Sequence, residues 1–353
     1  MIKVLVVEDS PVVCNFLVHI LGSDPGIRVV GTAIDGEEAI EAVQRLRPDV
    51  ITMDIYMAKM DGLETTRRIM ETHPTPIVIV SSIINPRDVE MTFQATKAGA
   101  LAFLPLPAGI GHPEHETTAR ELVQTVKLMS EVKVIRRWTQ SQRVSPASRP
   151  PEIYGKILPR RVSVVAIGTS TGGPPVLNTI LAGLPENFPA PVLIVQHISS
   201  GFSQGFVEWL AQSSALALKL AEHGEHILPA HVYIAPDEFQ MEVENGGKIA
   251  LIRGEPENGM RPSVSRLFRS VAEVYGSSAV AGLLTGMGRD GAAELKLLRE
   301  KGAITFAQDK ESSAVHGMPG EAIKLDAAMF VLAPQEIISL LTNLVSGKQA
   351  GIN

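Results

Sequence analysis

Val162-Ser163-Val164-Val165-Ala166-Ile167-Gly168-Thr169-Ser170-Thr171-Gly172-Gly173-Pro174-Pro175 decides the fold of the second half of the chain. An apolar, β-branched run of this length reads as a buried strand. The glycines after it permit a tight turn and close approach of other groups, and proline suits the first turn of a helix. A strand, a turn and a helix in that order form a unit of an open parallel sheet, where chemistry collects at the carboxyl ends of the strands. Two further runs end the same way. The run from Val192 closes in Val195-Gln196-His197, and Ala279–Leu284 leads into Thr285-Gly286-Met287-Gly288-Arg289-Asp290-Gly291. Helical patterns over Pro174–Leu184, Ser263–Tyr275, Asp290–Lys301 and Glu336–Val345 alternate with these strands. Val232–Ala235, Glu242–Val243 and Lys248–Ile252 are short strand-like runs, and Asn245-Gly246-Gly247 between the last two is a hairpin signal. The expected sheet is mostly parallel with an antiparallel excursion.

The first half repeats the alternation. Apolar runs at Ile2–Val7, Val29–Thr32, Val50–Met53, Ile77–Val80 and Leu101–Leu104 are separated by amphipathic stretches such as Glu37–Arg47 and Gly62–Glu71. Five such units imply a doubly wound parallel sheet. From about Lys133 to Arg161 the composition changes: Arg136, Arg137, Arg143, Arg149, Lys156, Arg160 and Arg161 are interleaved with Ser and Pro, and Ser145-Pro146 and Pro150-Pro151 oppose regular structure. This reads as a linker, helical at its start, whose charge serves solubility or docking on an acidic face. The expected class is therefore α/β, with two doubly wound domains at 1–125 and 162–350 joined by a linker at 126–161.

Composition sets limits. A chain of 353 residues with 45% apolar content can bury two cores. A net charge of −6 offers no general attraction to nucleic acid or anionic lipid. No apolar run reaches the roughly 20 residues of a membrane span, and Met1 to Val7 runs straight into Glu8 and Asp9, unlike a signal peptide. Cys14 is the single cysteine and falls in an apolar helical pattern with Val13, Leu17 and Ile20; it reads as a core thiol rather than a nucleophile. These features together predict a cytoplasmic protein, with a monomer as the default state.

Glu8 and Asp9 close the first strand and Asp54 the third, ends that meet at the switch point of a five-stranded doubly wound sheet. Three carboxylates brought together repel unless a divalent cation binds them, and oxygen-only ligands suit Mg2+. The alternative is helix capping, since acidic residues commonly begin βα turns. Met53-Asp54-Ile55, Met60-Asp61-Gly62, Ser81 after the fourth strand and Phe103 in the fifth resemble the receiver domain of two-component response regulators. The resemblance implies Asp54 as phospho-acceptor, Glu8, Asp9 and Asp54 around Mg2+, Ser81 as switch hydroxyl and Phe103 as its aromatic partner. Two positions depart from the pattern: Met57-Ala58 stands where Met-Pro is usual, and Leu106 before Pro107 stands where the family places a lysine. A lysine there pairs with the phosphate, so its absence predicts weak activation by small phosphodonors.

Gly168-x-Ser170-x-Gly172 fits a nucleophile elbow, and equally a phosphate-binding loop or a polar turn. Read as an elbow, Ser170 sits near a helix N-terminus, where backbone N–H groups stabilise an oxyanion. His197 is the candidate base because it ends the neighbouring strand; His316, in Val315-His316-Gly317-Met318-Pro319, is the rival, and His223, His226 and His231 lie in a polar region. Asp290 is the candidate orienting acid, or the N-cap of helix Gly291–Lys301. The order Ser, His, Asp disfavours the α/β-hydrolases, where the acid precedes the histidine.

These motifs, with Arg261-Pro262-Ser263-Val264 and Gly317-Met318-Pro319, resemble the chemotaxis-type protein-glutamate methylesterases over the whole chain. The resemblance implies hydrolysis of glutamate γ-methyl esters on methyl-accepting chemoreceptors, with receptor glutamine deamidation in many members. It implies a triad of Ser170, His197 and Asp290, oxyanion donors at Thr171 and Met287, no cofactor for the ester chemistry, and a histidine kinase of the pathway as partner. Local differences are Ile198-Ser199, Met260 and His316, where Met-Pro, a histidine and an aromatic are usual. Two rival functions stay open, a non-catalytic signalling scaffold and a serine hydrolase for a different ester.

Overall fold

A computed structural model describes residues 1–82, 86–132, 134 and 162–346. The chain divides into two compact units, one within residues 1–142 and one within 143–353. Apart from residue 134, the expected linker segment from Lys133 to Arg161 lies outside the described residues.

The first unit runs β1 (Ile2–Val7), α1 (Pro11–Gly22), β2 (Ile27–Ala33), α2 (Gly36–Leu46), β3 (Val50–Met53), α3 (Gly62–Thr72), β4 (Ile77–Ser81), α4 (Pro86–Ala98), β5 (Ala102–Pro105) and α5 (His115–Ser130). Its sheet has the order β2-β1-β3-β4-β5, every pairing parallel. All five expected strands are present. Helix α5 continues through Ser130, so a boundary at residue 125 falls inside it. Local chemistry sets the helix starts. Ser10 caps α1 with Pro11 in its first turn, and Asp35 and Asp61 accept the N–H groups of Glu38 and Glu64 at the starts of α2 and α3.

The second unit runs β6 (Val164–Thr169), α6 (Gly173–Ala182), β7 (Val192–Gln196), α7 (Ser203–Ala211), β8 (Ala217–Leu220), β9 (His231–Ile234), β10 (Gln240–Glu244), β11 (Lys248–Ile252), α8 (Val264–Val274), β12 (Ala279–Leu283), α9 (Ala292–Glu300), β13 (Ile304–Gln308), α10 (Met318–Lys324), β14 (Phe330–Leu332) and α11 (Pro334–Ser346). Seven parallel strands form one sheet in the order β14-β13-β12-β6-β7-β9-β8. The antiparallel hairpin exists, but β10 and β11 form a separate two-stranded sheet rather than an excursion of the main one. Its apolar face, Met241, Val243 and Ile249, joins a core with Val264, Leu267, Phe268 and Val271 of α8. The run expected at Val232–Ala235 is β9, parallel to both β7 and β8. Strand β8 carries no fully buried residue, so it lacks the apolar signature of its neighbours.

Strand β6 lies at the centre, with β12 on one side and β7 on the other. The chain leaves β6 towards β7 and later returns on the other side, which makes the carboxyl end of β6 a topological switch point.

Candidate active site

Ser170 follows β6 directly. Its N–H donates to the Thr285 carbonyl at 3.1 Å, and its own carbonyl accepts from the Gly173 N–H at 2.9 Å and from Gln196 Nε2 at 2.9 Å. The turn needs its glycines. Gly172 has φ +77 and caps α6, and a Cβ on Gly173 would stand 2.3 Å from both Gln196 Oε1 and Thr169 Oγ1. Ser170 therefore sits two residues ahead of the helix cap–first-turn junction, in a strand-to-helix elbow.

Thr169 and Gln196 are register partners in β6 and β7, so the residues that follow them, Ser170 and His197, emerge side by side. The His197 N–H donates to the Thr169 carbonyl at 3.0 Å. Gln196 Nε2 donates to the carbonyls of Ser170 and His197, at 2.9 and 2.8 Å, and ties the two turns together. The His197 ring is buried, and its Nε2–H donates to Asp290 Oδ2 at 2.9 Å. An ionised carboxylate only accepts, so Nε2 carries the proton and Nδ1 is the lone-pair nitrogen. Nδ1 is buried and has no protein partner among the described residues. Ser170 Oγ makes no hydrogen bond to the ring in this geometry.

Asp290 lies beyond β12 and is 4% exposed, so its charge must be met by protein donors. Oδ2 accepts from His197 and from the Val264 N–H at 2.7 Å. Oδ1 accepts from Ser263 Oγ at 2.9 Å, the Ser265 N–H at 3.2 Å and Asn258 Nδ2 at 3.3 Å. Burial pushes the carboxyl pKa up, but the His197 hydrogen bond and charge, with Ser265 and Val264, outweigh it and hold the group well below the usual carboxylate range. The alternative reading of Asp290 as cap of the following helix does not describe the geometry. That helix, α9, starts at Ala292 behind Gly291, which has φ +81, and has no side-chain cap. The Asp290 carboxylate instead meets the first N–H groups of α8, a helix reached through Arg261-Pro262-Ser263.

Thr171 is half-buried at the elbow and Met287 is 41% exposed on the turn after β12. Among the described residues neither backbone N–H has a protein acceptor. His316, the rival base, bridges through its backbone to Gly286, while its Nδ1 lies 3.4 Å from Ser313 Oγ rather than on a carboxylate. Burial lowers its pKa. His223 Nδ1 accepts from the Leu251 N–H and His231 Nδ1 bonds the Pro229 carbonyl, away from these turns. Gln196, Asn258 and Ser263 were not singled out by type or spacing, although Gln196 and Ser263 lie within quoted motifs.

In the first unit, carboxylate oxygens of Glu8, Asp9 and Asp54 lie within 4.8 Å of one another. None of the three caps a helix; Ser10 and Asp61 do that at α1 and α3. Burial, then the neighbouring Asp54 charge, push Glu8 up to about 7. Burial also raises Asp54, against hydrogen bonds to its carboxylate from Ser81 Oγ at 2.6 Å and the Ile55 N–H at 2.8 Å. No described lysine or arginine forms an ion pair with the cluster. A compact set of hard oxygen donors with uncompensated charge fits Mg2+. Phe103, on β5, stands edge-on to Phe93 with centroids 5.3 Å apart. Leu106 donates its N–H to the Ser81 carbonyl at 3.1 Å and brings no charge to the cluster. No described helix is long and apolar enough to cross a membrane.

Comparison with known proteins gives the same division. Residues 165–341 match the CheB methylesterase family, and residues 4–111 match the response regulator receiver domain. A protein of Nitrosospira multiformis named protein-glutamate methylesterase/protein-glutamine glutaminase is 62% identical over 98% of this chain and 98% of its own length. A Geobacter metallireducens protein of the same name is 58% identical over 99% of this chain and 100% of its own. The crystal structure of the Thermotoga maritima CheB methylesterase catalytic domain covers 52% of this chain and 98% of its own, with 39% identity and a TM-score of 0.51.

Proposed function

Because the chain belongs to the CheB methylesterase family and carries a response regulator receiver domain ahead of the esterase domain, we propose that it hydrolyses glutamate γ-methyl esters on methyl-accepting chemoreceptors. The catalytic residues are Ser170, His197 and Asp290. The observation that carries this reading is the His197 ring: Nε2 is held by Asp290, and the buried, unpartnered nitrogen is Nδ1, on a residue that emerges beside Ser170.

As Ser170 Oγ attacks the ester carbonyl, His197 Nδ1 takes its proton. The Asp290 carboxylate stabilises the imidazolium and fixes its orientation. Charge develops on the carbonyl oxygen, where the N–H groups of Thr171 and Met287 stabilise it. His197 returns the proton to the departing oxygen, and methanol leaves. A water then gives its proton to Nδ1 and attacks the acyl carbon; collapse frees glutamate and restores Ser170. The same steps with ammonia leaving would deamidate glutamine. The ester chemistry uses no cofactor.

The receiver, proposed at 1–125 with a linker at 126–161 ahead of a catalytic domain at 162–350, gates this reaction through phosphorylation of Asp54 by the pathway's histidine kinase. Glu8, Asp9 and Asp54 would hold Mg2+, which neutralises charge on the incoming phosphoryl group. Ser81, already bonded to Asp54, reports the change together with Phe103. The protein acts as a cytoplasmic monomer, without nucleic acid and without insertion in the membrane.

Methanol release from methylated receptor tests the reading. Ser170→Ala should lower turnover by about 10⁴–10⁶; near-normal demethylation by that variant would overturn the mechanism.

A further inference from the structure

Ser263 occupies the N-cap position of α8, where a serine side chain ordinarily accepts a hydrogen bond from a helix N–H. Here it makes no such cap. Its hydroxyl donates to Asp290 Oδ1 at 2.9 Å, and the N–H groups of Val264 and Ser265 donate to the same carboxylate at 2.7 and 3.2 Å. Asp290 has taken over the capping role, and the serine is free to act as a donor. Ser263 is completely buried, so no water replaces its hydroxyl.

The carboxylate has two sides. Oδ2 faces His197, and Oδ1 has two side-chain donors, Ser263 and Asn258. Asn258 is exposed and its contact is long, at 3.3 Å. Ser263 is the buried and shorter of the two. We infer that Ser263 is a positioning residue of the esterase: its hydroxyl holds the Asp290 carboxylate in the plane that presents Oδ2 to His197. This inference rests on the reading of Asp290 as the orienting acid.

The backbone of Ser263 is held independently. Its N–H donates to Gln240 Oε1 at 2.8 Å, and Gln240 Nε2 donates to the Glu255 and Met260 carbonyls at 3.3 and 3.1 Å. Ser263→Ala therefore removes the hydroxyl and leaves the chain trace in place. A hydrogen bond to a charged group is worth about ten- to a hundredfold in an equilibrium, so kcat should fall by about that factor with KM unchanged.

The test is a double-mutant cycle in the full-length protein, with kcat and KM read from methanol release on methylated receptor and Tm measured alongside. Ser263→Ala, Asp290→Asn and the pair are compared. The expected result is a kcat loss in Ser263→Ala that vanishes in the Asp290→Asn background, because the hydroxyl acts only through the carboxylate. A loss that persists at full size in that background, or none in the single variant, overturns the inference. If Ser263→Ala does not fold, Ser263→Cys, similar in volume with a weak donor, runs the same cycle with the same two outcomes. Failure of the underlying reading shows differently: Asp290→Asn alone would then leave kcat unchanged.

Discussion

Which ring nitrogen of His197 meets Asp290 determines which one can act as base. Nε2 is occupied by Asp290, so in the proposed mechanism the proton from Ser170 goes to Nδ1, the reverse of the assignment in chymotrypsin-type triads. Ser170 and His197 directly follow the register partners Thr169 and Gln196, so their two turns lie side by side. At the same scale, Glu8 carries a pH prediction. Its folded-state value is about 7, above the ordinary 4.5, because burial and Asp54 disfavour its charge. A raised acid contributes stability that is complete below the unfolded pKa and lost as pH rises through the folded one. Without divalent cation, Tm of the first unit should therefore fall between about pH 4.5 and 7. Thermal melts across that range check this, and Glu8→Gln should flatten the slope; an equal slope in the variant would assign it to other groups.

At the scale of elements, three pieces meet at one point: the ends of β6 and β7, the turn after β12 and the start of α8. Gly168 shows how closely they are packed. A Cβ there would stand 2.3 Å from Val264 Cγ1 and 2.9 Å from Leu283. Val264 is also the residue whose N–H holds Asp290 Oδ2. Gly168→Ala should cost about 1–3 kcal/mol through overpacking, seen as a lower Tm, and should lower kcat as α8 is pushed from the carboxylate. Unchanged Tm and kcat would show that α8 yields without strain. Much of this element level was legible in advance. The strands carry uninterrupted apolar runs and the turns carry glycines, so periodicity locates them. The hairpin was legible through Asn245-Gly246, but its separation from the main sheet was not, because turn chemistry specifies a local pairing and not which sheet receives it. Strand β8 was missed because its residues are only partly buried and lack the apolar signal.

For the whole molecule, the prediction concerns the proposed gating of the esterase by the receiver, and it is argued from Leu106. Ser81 already bonds Asp54, yet Leu106 supplies no cation to the cluster. A phosphoryl group on Asp54 would lack the charge-assisted contact that a lysine makes. A small phosphodonor with Mg2+ should therefore stimulate methanol release weakly, and Leu106→Lys should strengthen the stimulation. Full stimulation of the native chain would show that the switch works without that cation. Asp54→Asn should remove whatever stimulation exists and leave the basal rate.

Sequence alone determined the two α/β units, the positions of Ser170, His197, Asp290 and the acidic trio, and the family they resemble, because each sits where an apolar run gives way to a polar turn. Only the tertiary structure decided what holds them. Residues 170 and 197 follow paired strands, which periodicity implies, but Asp290 faces the start of α8 rather than its own helix because a buried carboxylate goes where N–H and O–H donors converge. Ser263 and Gln196 acquire their places for the same reason. Serine and glutamine carry no period and no charge, so their partners appear only once distant turns are brought within hydrogen-bonding distance.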